Sequence, residues 1–352
     1  MKWPLIRNLP NETKFTYVKF AGFAAFLSIA AVLATFTSVL TGGFRENPIA
    51  IYQNAEGSPL DKAGAVLARG FNLGIDFKGG TSMIVAAPEE IDLEALRGAL
   101  SAMQLGDVQV QETTGPRDDA SNLHYATLRY ESPSDARAAI VASQVENRVE
   151  ALIPDSEVRD RQVVGPKVSG ELFSSGLIAL GLAILLMLIY IWFRFEWQFG
   201  LGAVLALFHD VILTLGLFSI FRLEFTLTII AALLTIIGYS MNDTVVVFDR
   251  IRENLRKFKK MPLGQVIDLS LNQTLSRTII TGCTALLALG GLLYIGGEAL
   301  SGFAIAMIFG IVIGTYSSLY VAAPAILIWG VRRGGESEAS QRSRADLAEN
   351  RP

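Results

Sequence analysis

The residues most able to do chemistry in this chain stand where hydrocarbon side chains dominate. From Phe225 to Asn254 the sequence reads FTLTIIAALLTIIGYSMNDTVVVFDRIREN, an apolar run that places Asn242 and Asp243 side by side before valines resume. Arg277 opens a later apolar run, and His209 and Asp210 interrupt an earlier one. Burial favours the protonated form of a carboxylate, whereas a nearby guanidinium favours the ionised form. An Asp243 subject to both would hold or release its proton according to which side water reaches, which is what a proton relay requires. The competing reading is that Asp243 and Arg277 merely tie two segments together. For His209 and Asp210, successive helical residues point about 100° apart. The pair is therefore not expected to line one path, and a hydrogen-bonding role between helices stands beside a proton-handling one.

The cost of such residues depends on the medium, and composition identifies it. Of 352 residues, 51% are hydrophobic and 18% charged, with a mean hydropathy of +0.42, which is more apolar than an ordinary soluble domain of this size. Six apolar stretches approach the roughly 20 residues a helix needs to cross about 30 Å of hydrocarbon. They run approximately from Val18 to Leu40, Ser175 to Trp192, Phe199 to Ile220, Phe225 to Phe248, Thr278 to Ile295 and Phe303 to Trp329. Open strands cannot satisfy their backbone groups in lipid, so these are expected to be helices. An ionised side chain at mid-membrane costs at least about 2.5 to 3.5 kcal/mol on insertion scales and normally faces a bundle interior or a wet cavity. On this reading Asp210 lies near the middle of its span, Asp243 nearer one end of its own, and Arg277 at the entrance of the fifth.

Basic residues set the expected orientation. Lys2, Arg7, Lys14 and Lys19 attend the start of the first span, Arg194 follows the second, Arg250 to Lys260 with Arg277 fill the fourth connection, and Arg332 and Arg333 follow the last. Both termini are thus expected in the cytoplasm. The first span has a longer apolar core than the 7 to 15 residues of a signal h-region and no clear A-x-A-like site, so it is read as a retained span. Four parts follow: residues 1–41 with the first span, an outer domain at 42–171, a bundle of the remaining spans at 172–330, and a cytoplasmic tail at 331–352 expected to be disordered.

The outer domain, roughly 125 residues long, is within the usual domain range. TSMIVAA reads as a strand, LEALRGALSAM as a helix, DVQVQET and HYATLRY as strands around the turn-forming TGPRDDASN, SDARAAIVASQVENRVEALI as a helix ended by Pro154, and EVRDRQVV as a closing strand. This β-α-β-β-α-β order predicts a ferredoxin-like α+β fold beside an α-helical polytopic bundle of six transmembrane helices. Just ahead of it, FNLGIDFKGGTS joins Asp76 and Lys78 to the pair Gly79-Gly80; a tight turn is favoured over a ligand site.

Other classes fit poorly. His124 is isolated, the outer domain holds no cysteine, and the sole cysteine, Cys283, falls in a span, so no metal, no cofactor and no intrachain disulfide is expected. No basic patch points to nucleic acid, and the expected surroundings are membrane lipid. An intramembrane aspartyl protease would carry G-x-G-D where this chain has GYSMND; a rhomboid-type serine protease would carry G-x-S-G, with its histidine after the serine. Enzyme activity is not expected. Gly310 and Gly314 in GIVIG read as close helix packing.

Five stretches resemble one family: GIDFKGGT at Gly74 to Thr81, VGPKVSGEL at Val164 to Leu172, ALFHDVILTLGLF at Ala206 to Phe218, GYSMNDTVVVFDRIREN at Gly238 to Asn254 and LNQTLSRTIITGCTAL at Leu271 to Leu286. In this order they are similar to the SecF family of bacterial protein-export subunits, within the resistance-nodulation-division superfamily. The resemblance implies one six-span half of a two-half transporter, with SecD as the other half. It further implies an inner-membrane location, the SecYEG channel and the SecA motor as partners, and proton motive force drawing a translocating polypeptide outward late in export. The family's fourth-span aspartate falls on Asp243, beside Asn242, and its fifth-span arginine on Arg277, the pair proposed to carry protons. Gly74, Asp76, Gly79, Gly80 and Thr81 are carried over as a motif without a role. Two alternatives stand beside this: an exporter of small molecules or lipids from the same superfamily, and a passive assembly subunit.

Overall fold

The structure, a computed structural model, describes residues 13–45, 47–54, 66, 69–106, 108–113, 123–131 and 135–331. Lys2, Arg7, Arg332, Arg333, the expected TGPRDDASN loop and the expected tail beyond Val331 lie outside them.

In chain order the elements are α1 (Tyr17–Leu40), α2 (Pro48–Asn54), β1 (Asn72–Leu73), α3 (Ile75–Lys78), β2 (Gly80–Ala87), α4 (Leu93–Ser101), β3 (Val108–Thr113), β4 (His124–Tyr130), α5 (Asp135–Leu152) and β5 (Glu157–Val164). There follow α6 (Pro166–Arg194), α7 (Trp197–Ile220), β6 (Glu224–Phe225), α8 (Leu227–Lys257), α9 (Leu263–Ile295), α10 (Gly297–Ser317), a π-helical turn at Ser318–Ala322 and α11 (Ala323–Trp329). Among the described residues, six helices are long and apolar enough to cross a membrane: α1, α6, α7, α8, α9 and the composite Leu300–Trp329.

Within the bundle, α7, α8 and the composite last helix are the most buried, whereas α6 and α9 lie at the periphery. Phe199 and Phe248 are fully buried with ring centroids 5.3 Å apart, and Phe195 meets the edge of Phe248 at 5.5 Å. The outward faces are also apolar, with Phe20, Phe23 and Phe26 of α1 and Trp192 and Phe193 of α6 exposed. Exposed patches of this kind are disfavoured against water but suit lipid tails.

Two helices run well past their hydrophobic windows. α8 continues to Lys257, and α9 begins at Leu263, so Arg277 lies mid-helix and not at its first turn. The extra turns are held by packing: Val266, Ile267 and Leu271 are buried against Ile251 and Leu255, and Asn254 Nδ2 donates to Ser270 Oγ at 2.9 Å. The same extension anchors α1, since Asp268 Oδ1 accepts from the Val18 N–H and Asn272 Oδ1 from the Phe15 N–H, both at 2.9 Å. The Val18 amide is one of the first-turn amides of α1 that have no partner within the helix, and Phe15 lies just ahead of it.

The last span differs from the expected single helix. Its helical turn widens at Ser318–Ala322, just ahead of Pro324, and π-type turns of this kind are frequent at functional sites. The widened turn lies hard against Gly202 of α7, where a Cβ would approach the Ala322 carbonyl oxygen to 2.7 Å. Gly202→Ala is therefore expected to lower the detergent-solubilised protein's melting temperature. Gly238→Ala, on an open face of α8, is expected to leave it unchanged or raise it, alanine being favoured over glycine by up to about 1 kcal/mol in helices.

Between α1 and α6 the chain forms a four-stranded antiparallel sheet ordered β3-β4-β2-β5. The elements agree with the sequence reading to within about two residues at their ends, the usual precision of such boundaries. Met83, Val85 and Ala87 of β2 and Ala126 and Leu128 of β4 pack against Leu96 and Leu100 of α4 and Ala142, Val145 and Val149 of α5. Asp92 caps α4, accepting from the amides of Glu94 and Ala95 at 3.0 Å. The edge strand β5 is rich in exposed charged residues, which discourages pairing with a further strand. The short β1 was not expected from sequence; it pairs in parallel with β6, in the connection between α7 and α8.

Candidate functional site

Three helices bring the predicted polar residues to one region of the bundle. Asp243, on α8, is half-buried and accepts a hydrogen bond from Thr278 Oγ1 of α9 at 2.6 Å. Its other oxygen, Oδ2, is buried without a hydrogen-bond partner among the described residues. Arg277 lies within electrostatic range but makes no ion pair with Asp243, and its side chain is exposed. Asn242 is also exposed. The structure thus brings Asp243 to the neighbour of Arg277, with the guanidinium acting through space.

His209 and Asp210 are both buried, and their side chains meet although successive helical residues point about 100° apart. His209 Nδ1 lies 3.0 Å from Asp210 Oδ1, while Nε2 reaches Ser28 Oγ of α1 at 3.2 Å. A ring with a nitrogen at each end can span directions that shorter side chains cannot. Asp210 Oδ2 accepts from Ser240 Oγ of α8 at 2.5 Å and from Ser317 Oγ of α10 at 2.8 Å. Ser28 in turn contacts the Tyr316 hydroxyl at 3.0 Å, and that hydroxyl donates to the Ala24 carbonyl at 2.8 Å. One carboxylate therefore joins α7, α8 and α10, and His209 extends the network to α1.

The two carboxylate systems nearly meet. Ser318, next to Ser317, shares a 2.8 Å hydrogen bond with Thr244, next to Asp243. Ser318 also lies within reach of the Asp243 carboxylate. Ser28, Thr244, Thr278, Ser317 and Ser318 were not singled out from sequence, and Ser240 was weighed there only as a protease nucleophile and set aside. Their only signal was a hydroxyl on an apolar helix, and such hydroxyls commonly bond to their own backbone. Gly310 and Gly314 face α8: a Cβ at Gly310 would run into Ile236, and one at Gly314 would come within 3.1 Å of Ser240 Cβ. Gly314 thus keeps space beside the Asp210–Ser240 bond.

The other sequence-selected residues lie elsewhere, where the α+β domain meets the bundle. The segment 74–81 makes one helical turn, then passes sharply into β2 through Gly79 (φ +75°) and Gly80 (φ +135°), backbone angles that L side chains rarely adopt. A Cβ on Gly79 would lie 3.2 Å from Pro166 Cα at the start of α6, and one on Gly80 would lie 2.5 Å from the Tyr130 carbonyl. Gly74 is pressed against Glu224 and Thr226, and its amide donates to the Phe225 carbonyl at 2.9 Å. Asp76 Oδ2 accepts from the Leu227 amide at 2.8 Å. Thr81 is fully buried in β2. Nearby, burial pushes the Tyr130 phenol up to about 12, so it stays neutral at ordinary pH.

These residues match the marks of known sequences. The family model for SecD/SecF protein export membrane proteins, C-terminal part, covers residues 144–332, more than half of the chain, and that for the SecD/SecF GG motif covers 64–87. Protein translocase subunit SecF of Cereibacter sphaeroides is 48% identical over 280 residues, covering 79% of this chain and 86% of the relative. The chain belongs to the SecF family. The SecF of Ketogulonicigenium vulgare is 37% identical over 338 residues, covering 95% and 94% of the two chains. Among solved structures, the translocon-associated membrane protein SecDF from Thermus matches at a TM-score of 0.70 and 33% identity over 91% of this chain. SecDF in a super-membrane-facing form matches at 0.54 and 32% over 95%. The chain spans only 39% and 40% of those two longer chains. With its six apolar helices, this SecF-family chain is a multi-pass inner-membrane protein.

Proposed function

We propose that this chain is an accessory subunit of Sec-dependent export, one half of a transporter completed by a SecD-type partner, that uses the proton motive force to promote the late stage of polypeptide translocation. It acts beside a SecYEG-type channel and a SecA-type motor. Its termini face the cytoplasm and its sheet domain, ferredoxin-like in its βαββαβ order, faces the periplasm, with divisions near residues 41, 171 and 330. The strand order β3-β4-β2-β5 supports the ferredoxin-like assignment.

The observation that carries the relay is the state of Asp243 on a membrane-capable helix: one oxygen is bonded to Thr278, and the other is buried with no hydrogen bond of its own although the Ser318 hydroxyl is within reach of the carboxylate. Such a group is the natural place for an arriving proton, because protonation gives Oδ2 a hydrogen and reduces the cost of keeping the carboxylate from water. Arg277 opposes that step through space. One charge crossing about 100 mV releases about 2.3 kcal/mol. Several protons per cycle would be needed to draw a sliding chain outward.

The test is reconstitution with SecD, SecYEG and SecA in vesicles carrying a proton gradient, following completion of partly translocated chains. The gradient is expected to speed completion only when both halves are present; equal completion without this chain would overturn the proposal. For Arg277, replacement by alanine is expected to cut the gradient-dependent component severalfold, because the positive charge near Asp243 is gone. Lysine should retain more, since it keeps the charge but not the guanidinium geometry. Equal stimulation by arginine, lysine and alanine would remove Arg277 from the relay.

A further inference from the structure

The helix that carries Asp243 starts without a cap of its own. Thr226 occupies the capping position of α8 yet makes no capping hydrogen bond; its hydroxyl pairs with Thr228 at 2.7 Å. The Leu227 amide is met instead by Asp76 Oδ2, from 151 residues earlier in the chain. Around this contact β1 and β6 pair in parallel, Gly74 donates to Phe225, Asn72 Nδ2 donates to the Arg222 carbonyl at 3.2 Å, and Arg129 of β4 forms a 2.7 Å ion pair with Glu224. Phe77 packs on Phe225, with centroids 5.9 Å apart, and on Phe173 of α6 at 5.4 Å. The segment preceding β2 is thereby fixed both to the sheet domain and to the first turn of α8.

We propose that Asp76 is a positioning residue that ties the sheet domain to the helix bearing Asp243, so that movement of α8 on proton transfer is passed to the domain and not lost in the connecting loops. This rests on the relay reading above. The physics is that of a helix cap supplied from outside the helix: a carboxylate accepts from an orphan first-turn amide and also suits the positive end of the helix dipole. A cap of this kind holds only while domain and helix move together. The Asp243 side chain lies further along the same rigid helix, so a tilt or shift of α8 displaces Leu227, and with it Asp76 and β2.

Two substitutions remove the same hydrogen bond from opposite ends. Asp76→Ala deletes the acceptor. Leu227→Pro deletes the donor at the first helical position, where proline is well tolerated, and the extended Thr226 backbone (φ −112°, ψ 174°) already suits a residue before proline. In the vesicle system containing SecD, SecYEG and SecA, both variants are expected to insert, assemble and conduct protons like the wild type. Gradient-driven export is expected to fall about tenfold in each, the scale on which losing one cap shifts a docking equilibrium. Asp76→Asn, which keeps an acceptor oxygen in place, is expected to fall between wild type and alanine.

Export within twofold of wild type in both Asp76→Ala and Leu227→Pro, while Asp243→Asn abolishes it, would overturn the tie and leave the relay standing. Loss of proton flux together with export in both variants would also overturn it, because Asp76 would then serve only the integrity of the bundle. If Asp243→Asn leaves both flux and export at wild-type levels, the relay itself is wrong and the tie falls with it.

Discussion

Replacing Asp243 by asparagine is expected to abolish gradient-dependent stimulation of export while the protein still inserts and binds its SecD-type partner. Asparagine preserves the shape, and its amide oxygen can still accept from Thr278 Oγ1, so the 2.6 Å contact between α8 and α9 has a direct replacement. It cannot gain or lose a proton. The fold should therefore be spared and the chemistry removed, a loss of at least about tenfold if each productive cycle requires the carboxylate. Assembly is read by co-purification with SecD, and stimulation by the difference between energised and uncoupled vesicles. Undiminished stimulation would place the proton path elsewhere.

The second large effect is on stability and concerns Asp210. Its carboxylate is the shared acceptor for Ser240 and Ser317 and faces His209 Nδ1, all inside the bundle. Asp210→Ala would leave the Ser240 hydroxyl and a protonated Nδ1 without an acceptor, whereas Ser317 keeps the Gly314 carbonyl at 3.1 Å. A buried donor left without an acceptor costs about 1 to 3 kcal/mol, and two such donors would remain, so the variant is expected to unfold at markedly lower temperature in detergent. Asp210→Asn should lose less, because one amide oxygen can still take the Ser240 proton. A melting temperature within a degree of wild type for Asp210→Ala would show that the cluster is not a structural joint.

That distinction bears on what could be read before the structure. Asp243 and Asp210 are both visible in the sequence as carboxylates among hydrocarbon side chains, and the six spans follow from length and hydropathy alone. Their different surroundings were not visible. Asp210 is satisfied on both oxygens by groups from α7, α8 and α10, whereas Asp243 keeps one oxygen unpaired. The partners are serines and threonines, which leave little mark on a hydropathy profile. Likewise α9 appears to hydropathy only from Thr278 onward, because Asp268, Asn272 and Gln273 mask the spacing of Val266, Ile267, Ser270 and Leu271 that buries its first turns.

The sheet domain was legible because each strand alternates and each helix repeats, giving every element a local signature. The junction was not. The role of GIDFKGG depends on Glu224 to Leu227, far away in the chain, and a two-residue strand such as β1 carries no periodicity to detect. The glycine pair does make a sharp turn, but Gly79 and Gly80 are also where Pro166 and the Tyr130 carbonyl come closest. Spacing alone reports the turn and omits the neighbours.

Proton flux tests the central claim most directly. Vesicles holding this chain and its SecD-type partner, loaded with a pH-sensitive dye and exposed to an acid step on the periplasmic side, are expected to acidify faster than vesicles holding either half alone. With Asp243→Asn that excess flux is expected to disappear, although the complex remains assembled. The same excess flux in Asp243→Asn as in the wild-type complex would contradict the account.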